Sequence, residues 1–140
     1  MKLSTKGQYG TRAMLELALN YERGPLLLRE IAQKQGIPNR YLEHLILHLK
    51  VAGLVKSIRG AHGGYALTKS PSEIKLNEVL QALEGPVGLV ECLDDPKSCS
   101  RVKSCVTRDI WERMKEAIVG VLESTTLEDL VEQQKQRQSL

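Results

Sequence analysis

The stretch Leu28-Arg29-Glu30-Ile31-Ala32-Gln33-Lys34-Gln35-Gly36-Ile37-Pro38-Asn39-Arg40-Tyr41-Leu42-Glu43-His44-Leu45-Ile46-Leu47-His48-Leu49 decides the fold. Its first eight residues predict a short helix over 28–35, with Leu28, Ile31 and Ala32 on one face. Gly36 is placed to take the left-handed conformation just past that helix. Asn39 then reads as the N-cap of a second helix. Leu42, Leu45, Ile46 and Leu49 line its inner face, and it stops near Gly53. Two short helices around a tight glycine-containing turn have the form of a helix-turn-helix. Ala32 offers the small side chain that crossing helices need, and Ile37 can plug the angle between them. The outer face of the second helix carries Asn39, Arg40, Glu43, His44 and Lys50. In such a unit the N-terminal residues of the second helix enter the major groove of duplex DNA. Arg40 can donate to guanine edges or phosphates, and Glu43 can accept from cytosine N4. His48, on the same helix, reads as a structural or surface group rather than a ligand.

Downstream, Leu54-Val55-Lys56-Ser57-Ile58-Arg59 alternates as a strand does. Gly60-Ala61-His62-Gly63-Gly64 makes a turn, and Tyr65-Ala66-Leu67 returns. This hairpin over 54–67 reads as a wing. Arg59 and His62 flank glycines that let the backbone lie close to a sugar–phosphate rail. Arg59 is the better candidate for a minor-groove or phosphate contact, with Lys56 in support.

Upstream, Met14, Leu15, Leu17, Ala18 and Tyr21 predict a helix over 9–21, ended by Arg23-Gly24-Pro25. Further helices are expected over 76–84, over 105–123 and after Thr125-Thr126. Residues 85–104 show no periodicity. The tail Gln133–Leu140 is polar and is expected to fray. The expected fold is mostly α with a small β-hairpin. Residues 1–84 would form a winged helix-turn-helix domain, 85–104 a cysteine-containing loop, and 105–140 a long dimerisation helix with a C-terminal helix.

Charge agrees with a polyanion partner. Residues 1–68 carry ten Lys/Arg against four Glu, a net +6, whereas residues 69–140 carry ten against thirteen, a net −3. A merely solvated basic face is the bland alternative. With no Phe, one Trp and four Tyr, the chain lacks the exposed rings on which single-strand binders stack bases. The N-terminal lysines precede no apolar stretch, and no run is long enough to span a membrane, so a cytoplasmic protein is expected.

Cys92, Cys99 and Cys105 have the spacing C-x6-C-x5-C inside the irregular segment. A long unstructured loop in a small domain is usually functional or disordered. Three thiolates can anchor a metal centre, and Lys97, Arg101 and Lys103 would offset its negative charge. The spacing is neither that of a zinc ribbon nor that of a ferredoxin. Buried free thiols, a zinc site or a redox-thiol site remain open. No C-x2-C pair or acid–base constellation points to an enzyme. The helix over 105–123 has a stripe of Ile110, Met114, Ala117, Ile118, Val121 and Leu122, with Trp111 beside it. Pairing with a second copy would bury that stripe and set two recognition helices about one DNA turn apart on a pseudo-palindrome. Packing on its own domain is the alternative.

Several stretches resemble the iron–sulfur cluster regulator (IscR) group of winged-helix repressors. They are Met1-Lys2-Leu3-Ser4-Thr5-Lys6-Gly7-Gln8-Tyr9-Gly10, Tyr41-Leu42-Glu43, Gly53-Leu54-Val55, Ile58-Arg59-Gly60-Ala61-His62-Gly63-Gly64-Tyr65 and Thr126-Leu127-Glu128-Asp129-Leu130. The resemblance implies a homodimer that binds double-stranded operator DNA at iron–sulfur assembly genes, with a [2Fe–2S] cluster on Cys92, Cys99 and Cys105. By position it places Arg40, Tyr41, Glu43 and His44 in the recognition region, gives Glu43 a part in telling operator classes apart, and puts Arg59 and Gly60 in the wing. Where enterobacterial members carry a histidine as fourth ligand, this chain has Arg108, which cannot ligate. Thr107, Asp109 or Gln8 of a second copy are oxygen-bearing candidates. Three other stretches, Val55-Lys56-Ser57-Ile58-Arg59-Gly60-Ala61, Leu83-Glu84-Gly85-Pro86 and Leu122-Glu123-Ser124-Thr125-Thr126-Leu127-Glu128-Asp129-Leu130, resemble the cysteine-metabolism repressor (CymR) of Gram-positive bacteria. That resemblance implies a cluster-free regulator controlled through a partner enzyme.

Overall fold

Ser4 opens the first helix: its hydroxyl accepts from the Gly7 amide at 3.0 Å, and α1 runs Thr5–Leu19 in this computed structural model, which describes residues 2–138. The helix starts earlier than its apolar stripe predicts. Gly7 and Gly10 are poor helix formers, but tertiary packing needs them bare. A Cβ on Gly7 would strike the Glu84 side chain, and one on Gly10 would strike the Leu83 methyls. α1 also ends earlier than expected. Tyr21–Arg23 form a separate 3-10 turn and Tyr21 is exposed, because the Asn20 side chain donates to the Gly24 carbonyl at 2.8 Å and turns the chain aside.

Two helices follow, α2 (Leu28–Gln35) and α3 (Asn39–Val51). Gly36 between them has φ +64°, and the Ile37 amide reaches back to the Ala32 carbonyl at 3.0 Å. Ala32 and Ile37 are both buried at the crossing. The cap of α3 is Pro38 rather than Asn39. Its fixed φ of −57° is already helix-like, and its carbonyl takes the Leu42 amide at 2.9 Å. Asn39 becomes the first helical residue, with its side chain exposed.

The antiparallel hairpin pairs β1 (Val55–Ile58) with β2 (Gly64–Leu67), Val55 opposite Leu67 and Ile58 opposite Gly64. Its root is pinned to the body by Leu26. The Leu26 amide donates to the Tyr65 carbonyl at 2.9 Å, and the Tyr65 amide donates to the Leu26 carbonyl at 2.7 Å. Gly64, at φ +147°, permits this approach, since a Cβ there would strike the Leu26 carbonyl.

α1 sits at the centre, packed by α2, α3, α4 (Leu76–Glu84) and α7 (Leu127–Gln138). Met14, Ile31, Leu42, Leu45, Ile46, Leu49, Ile74, Val79 and Leu127 form a fully buried core. Each large side chain there contributes about 1.5–3 kcal/mol of burial. The last helix returns to this core: Leu127 and Val131 are buried beside residues of the first 84. Backbone bonds from Leu76 to Thr125 (2.9 Å) and from Leu127 to Ile74 (3.0 Å) fasten the return.

The segment expected to be irregular holds a short helix, α5 (Glu91–Asp94), and a 3-10 turn at Pro96–Ser98. Lys115 on α6 (Val106–Ser124) ties to Asp94 at 3.4 Å. No residue of α6 is buried, and Ile110 and Trp111 are 47% and 38% exposed. Among the described residues no helix is long and apolar enough to cross a membrane. Within the tail read as fraying, α7 continues to Gln138, and Ser139 and Leu140 lie outside the described residues.

Candidate nucleic-acid interface and cysteine segment

α3 is held from below and presents its other side. Leu42, Leu45, Ile46 and Leu49 are buried, whereas Asn39, Arg40, Glu43, His44 and Lys50 are exposed. Tyr41 behaves differently. It is half-buried, and its ring meets Tyr9 edge-on with centroids 5.9 Å apart. The Arg12 guanidinium lies 5.1 Å from the Tyr9 ring and also bonds Gln35. Tyr41 therefore fixes α3 against α1 as well as reaching the outer surface. Lys56 on β1, and Arg59 and Gly60 past its end, are all exposed. Gly60 takes φ +110°, which turns the tip of the wing.

The recognition helix and the wing meet across an open groove of about 830 Å³, lined among others by Arg40, Tyr41, Glu43, His44, Lys50 and Tyr65. Tyr65 and Leu47 were not singled out from sequence. Tyr65 carried a signal, because it directly follows the glycine pair of the wing. Arg40, Lys50 and the acceptor Glu43 line the groove itself, and Lys56 and Arg59 are exposed on the adjoining hairpin. That arrangement suits phosphate contacts plus base-edge reading in a groove.

One further pair was missed. His44 and His48 stand one turn apart with their Nε2 atoms 3.4 Å from each other and their rings nearly perpendicular at 87°. Burial, then the nearby charges of Lys6 and His44, hold His48 below the ordinary histidine range. The i,i+4 spacing was visible in the sequence.

The three cysteines are free thiols on separate supports. Cys92 is half-buried in α5, Cys99 is exposed after the 3-10 turn, and Cys105 is the half-buried N-cap of α6. The Cys105 Sγ lies 3.0 Å from the Thr107 hydroxyl. That hydrogen bond, with the Arg108 backbone amide and the Arg101 charge, holds the Cys105 thiol below its ordinary range. Arg108 bridges the two ends of the segment. Its amide faces Cys105, its guanidinium reaches the Cys92 carbonyl at 3.5 Å, and Glu112 lies 3.8 Å away. Its Nε is buried without an acceptor. Three soft thiols flanked by cations are suitable donors for an iron–sulfur centre. The sulfurs are not gathered, however: among the described residues no three His, Cys, Asp or Glu side chains stand close enough to share a metal ion.

Comparison with known proteins fits this geometry. Residues 3–133 match the Rrf2 family, described as an iron-dependent transcriptional regulator. The chain is 46% identical over 130 residues to the HTH-type transcriptional regulator CymR of Bacillus subtilis, covering 93% of this chain and 89% of that protein. It is 40% identical over 135 residues to the HTH-type transcriptional regulator IscR of Klebsiella pneumoniae, covering 96% and 82%. The solved structure of T. potens IscR superimposes with a TM-score of 0.83 at 40% identity, covering 99% of this chain and 91% of that one. The winged helix, its cationic groove and these relatives agree: the chain belongs to the Rrf2 family, and it is a DNA-binding transcriptional regulator rather than an enzyme.

Proposed function

We propose that this regulator acts in the cytoplasm as a homodimeric repressor of iron–sulfur cluster assembly genes, its operator binding governed by a [2Fe–2S] cluster. Residues 1–84 read DNA, 85–104 sense, and within 105–140 the exposed α6 pairs the two copies while α7 completes the core of the reading head. The reading is carried by one observation: three free thiols lie along one segment whose ends are bridged by Arg108. Cys92, Cys99 and Cys105 would hold the cluster, and Cys99 is the one that must be drawn in from solvent. The fourth ligand is open, with Thr107 already beside Cys105. When bound, the cluster supplies one-electron redox chemistry and a compact negative charge. The resemblance to IscR proteins favours this reading. The exposed stripe of α6 supplies the face on which a second copy would pair.

Two observations favour a second reading, a cluster-free regulator of cysteine or sulfur metabolism controlled by a partner protein. The three sulfurs are not converged, and the chain is 46% identical to CymR. Purification without oxygen separates the two. Visible absorption with about two irons per chain supports the cluster. Colourless, iron-free protein from iron-replete anaerobic cells rejects it and leaves the second reading.

A further inference from the structure

We propose that His44 and His48 form a two-imidazole site for a divalent transition-metal ion of the Zn2+ class on the DNA-facing side of α3. The argument is geometric. Residues four apart on a helix project from the same face, and the two Nε2 atoms stand 3.4 Å apart. A tetrahedral ion with metal–nitrogen bonds of about 2.0–2.1 Å spans its ligands at roughly 3.3–3.4 Å. Right-angle coordination would need roughly 2.9 Å, and a good hydrogen bond about 2.9–3.0 Å. The separation is the one that an ion seated between the two rings requires. The same His-x3-His spacing on a helix serves zinc hydrolases. One further feature helps: imidazole donors without carboxylates select against Mg2+ and Ca2+.

The site is incomplete by itself, because among the described residues no third His, Cys, Asp or Glu side chain joins the pair. Water completes the shell, so the ion exchanges. His44 also lines the groove beside the wing. Occupancy adds a dication to the recognition helix, which couples metal binding to DNA binding in both directions.

The proposal is independent of the cysteine segment, and the test keeps it so. Tag-free full-length protein carrying Cys92→Ser, Cys99→Ser and Cys105→Ser is titrated with Zn2+ by calorimetry and with Co2+ by visible absorption. If that variant does not fold by circular dichroism, wild-type chain with alkylated thiols takes its place. One ion per chain, with tetrahedral Co2+ bands, is expected. His44→Gln or His48→Gln should each weaken uptake by more than about a hundredfold, beyond the roughly 10–100-fold loss typical of an outer-shell change. Zn2+ should also shift affinity for duplex DNA in the cysteine-free protein and not in its His48→Gln derivative. Absence of stoichiometric uptake, or uptake unchanged in both histidine variants, overturns the site. Uptake at the pair with no shift in DNA affinity overturns the coupling.

Discussion

Replacing Gly64 by Ala tests whether the wing is positioned by its contact with Leu26. Two penalties add there. A left-handed φ costs an L-residue about 1–2 kcal/mol, and Gly64 sits at φ +147°. The new methyl would also meet the Leu26 carbonyl, which is backbone and cannot swing aside. Relief requires separating Leu26 from Tyr65, at the expense of their two hydrogen bonds of 2.9 and 2.7 Å. At about 0.5–1.5 kcal/mol each, the total reaches about 2–5 kcal/mol, a large share of a typical domain's stability. Gly36→Ala is the control. Gly36 has φ +64°, but its Cβ would meet nothing within 4 Å, so only the conformational penalty of about 1–2 kcal/mol applies. Urea unfolding of both variants measures the difference, and DNA affinity at fixed salt reports the wing. Gly64→Ala should lose at least about 1 kcal/mol more than Gly36→Ala and bind DNA more weakly. Equal losses would show that the Leu26 contact does not constrain the hairpin.

Arg59→Ala should weaken binding to all duplex sequences alike and lower the slope of log affinity against log salt by about 0.9, as one lost phosphate contact does; a sequence-dependent loss would contradict the phosphate role. Glu43→Ala should instead re-rank operators by about 1–3 kcal/mol per altered base pair, and uniform losses on every sequence would reject base reading. Changing Cys92, Cys99 or Cys105 singly to Ala should leave a folded protein within about 1 kcal/mol of the parent, because none of the three is buried; an unfolded variant would make that thiol structural. Hydrogen bonds from Asn77, then from Lys75 at 3.2 Å, hold the Glu123 carboxyl below the ordinary carboxylate range. Its stabilising contribution is therefore full above its unfolded-state pKa and is lost as pH falls through the lower folded-state value. Glu123→Gln should flatten the decline of Tm in acid, and overlapping Tm–pH curves for parent and variant would discount the group.

The parts of the fold that were legible are those set by neighbours in the chain. The Gly36–Ile37 turn, the inner stripe of α3 and the glycine-rich hairpin all announce themselves within a dozen residues. What was illegible depends on distant partners. α1 reaches back to Thr5 because Leu83 and Glu84 need bare glycines opposite them. Tyr41 also braces α3 because Tyr9 packs edge-on against it. α5 is too short to show a period. The groove-lining residues of α3 were legible from their outward phase, whereas Tyr65 enters only once β2 is folded onto Leu26. The i,i+4 spacing of His44 and His48 is local, but the approach of their Nε2 atoms to 3.4 Å depends on side-chain rotamers that spacing does not fix.

The return of α7 to the core makes everything between Glu84 and Leu127 a closed excursion, with both ends nailed to the same body. Closing such a loop costs entropy that grows only with the logarithm of its length. Residues can be added to or removed from the tip of the excursion while the reading head keeps its shape. The same closure means that an N-terminal fragment ending before Leu127 would leave an open socket against α1 where Leu127 and Val131 belong. The head and its appendage are thus separable in design but not by a single cut.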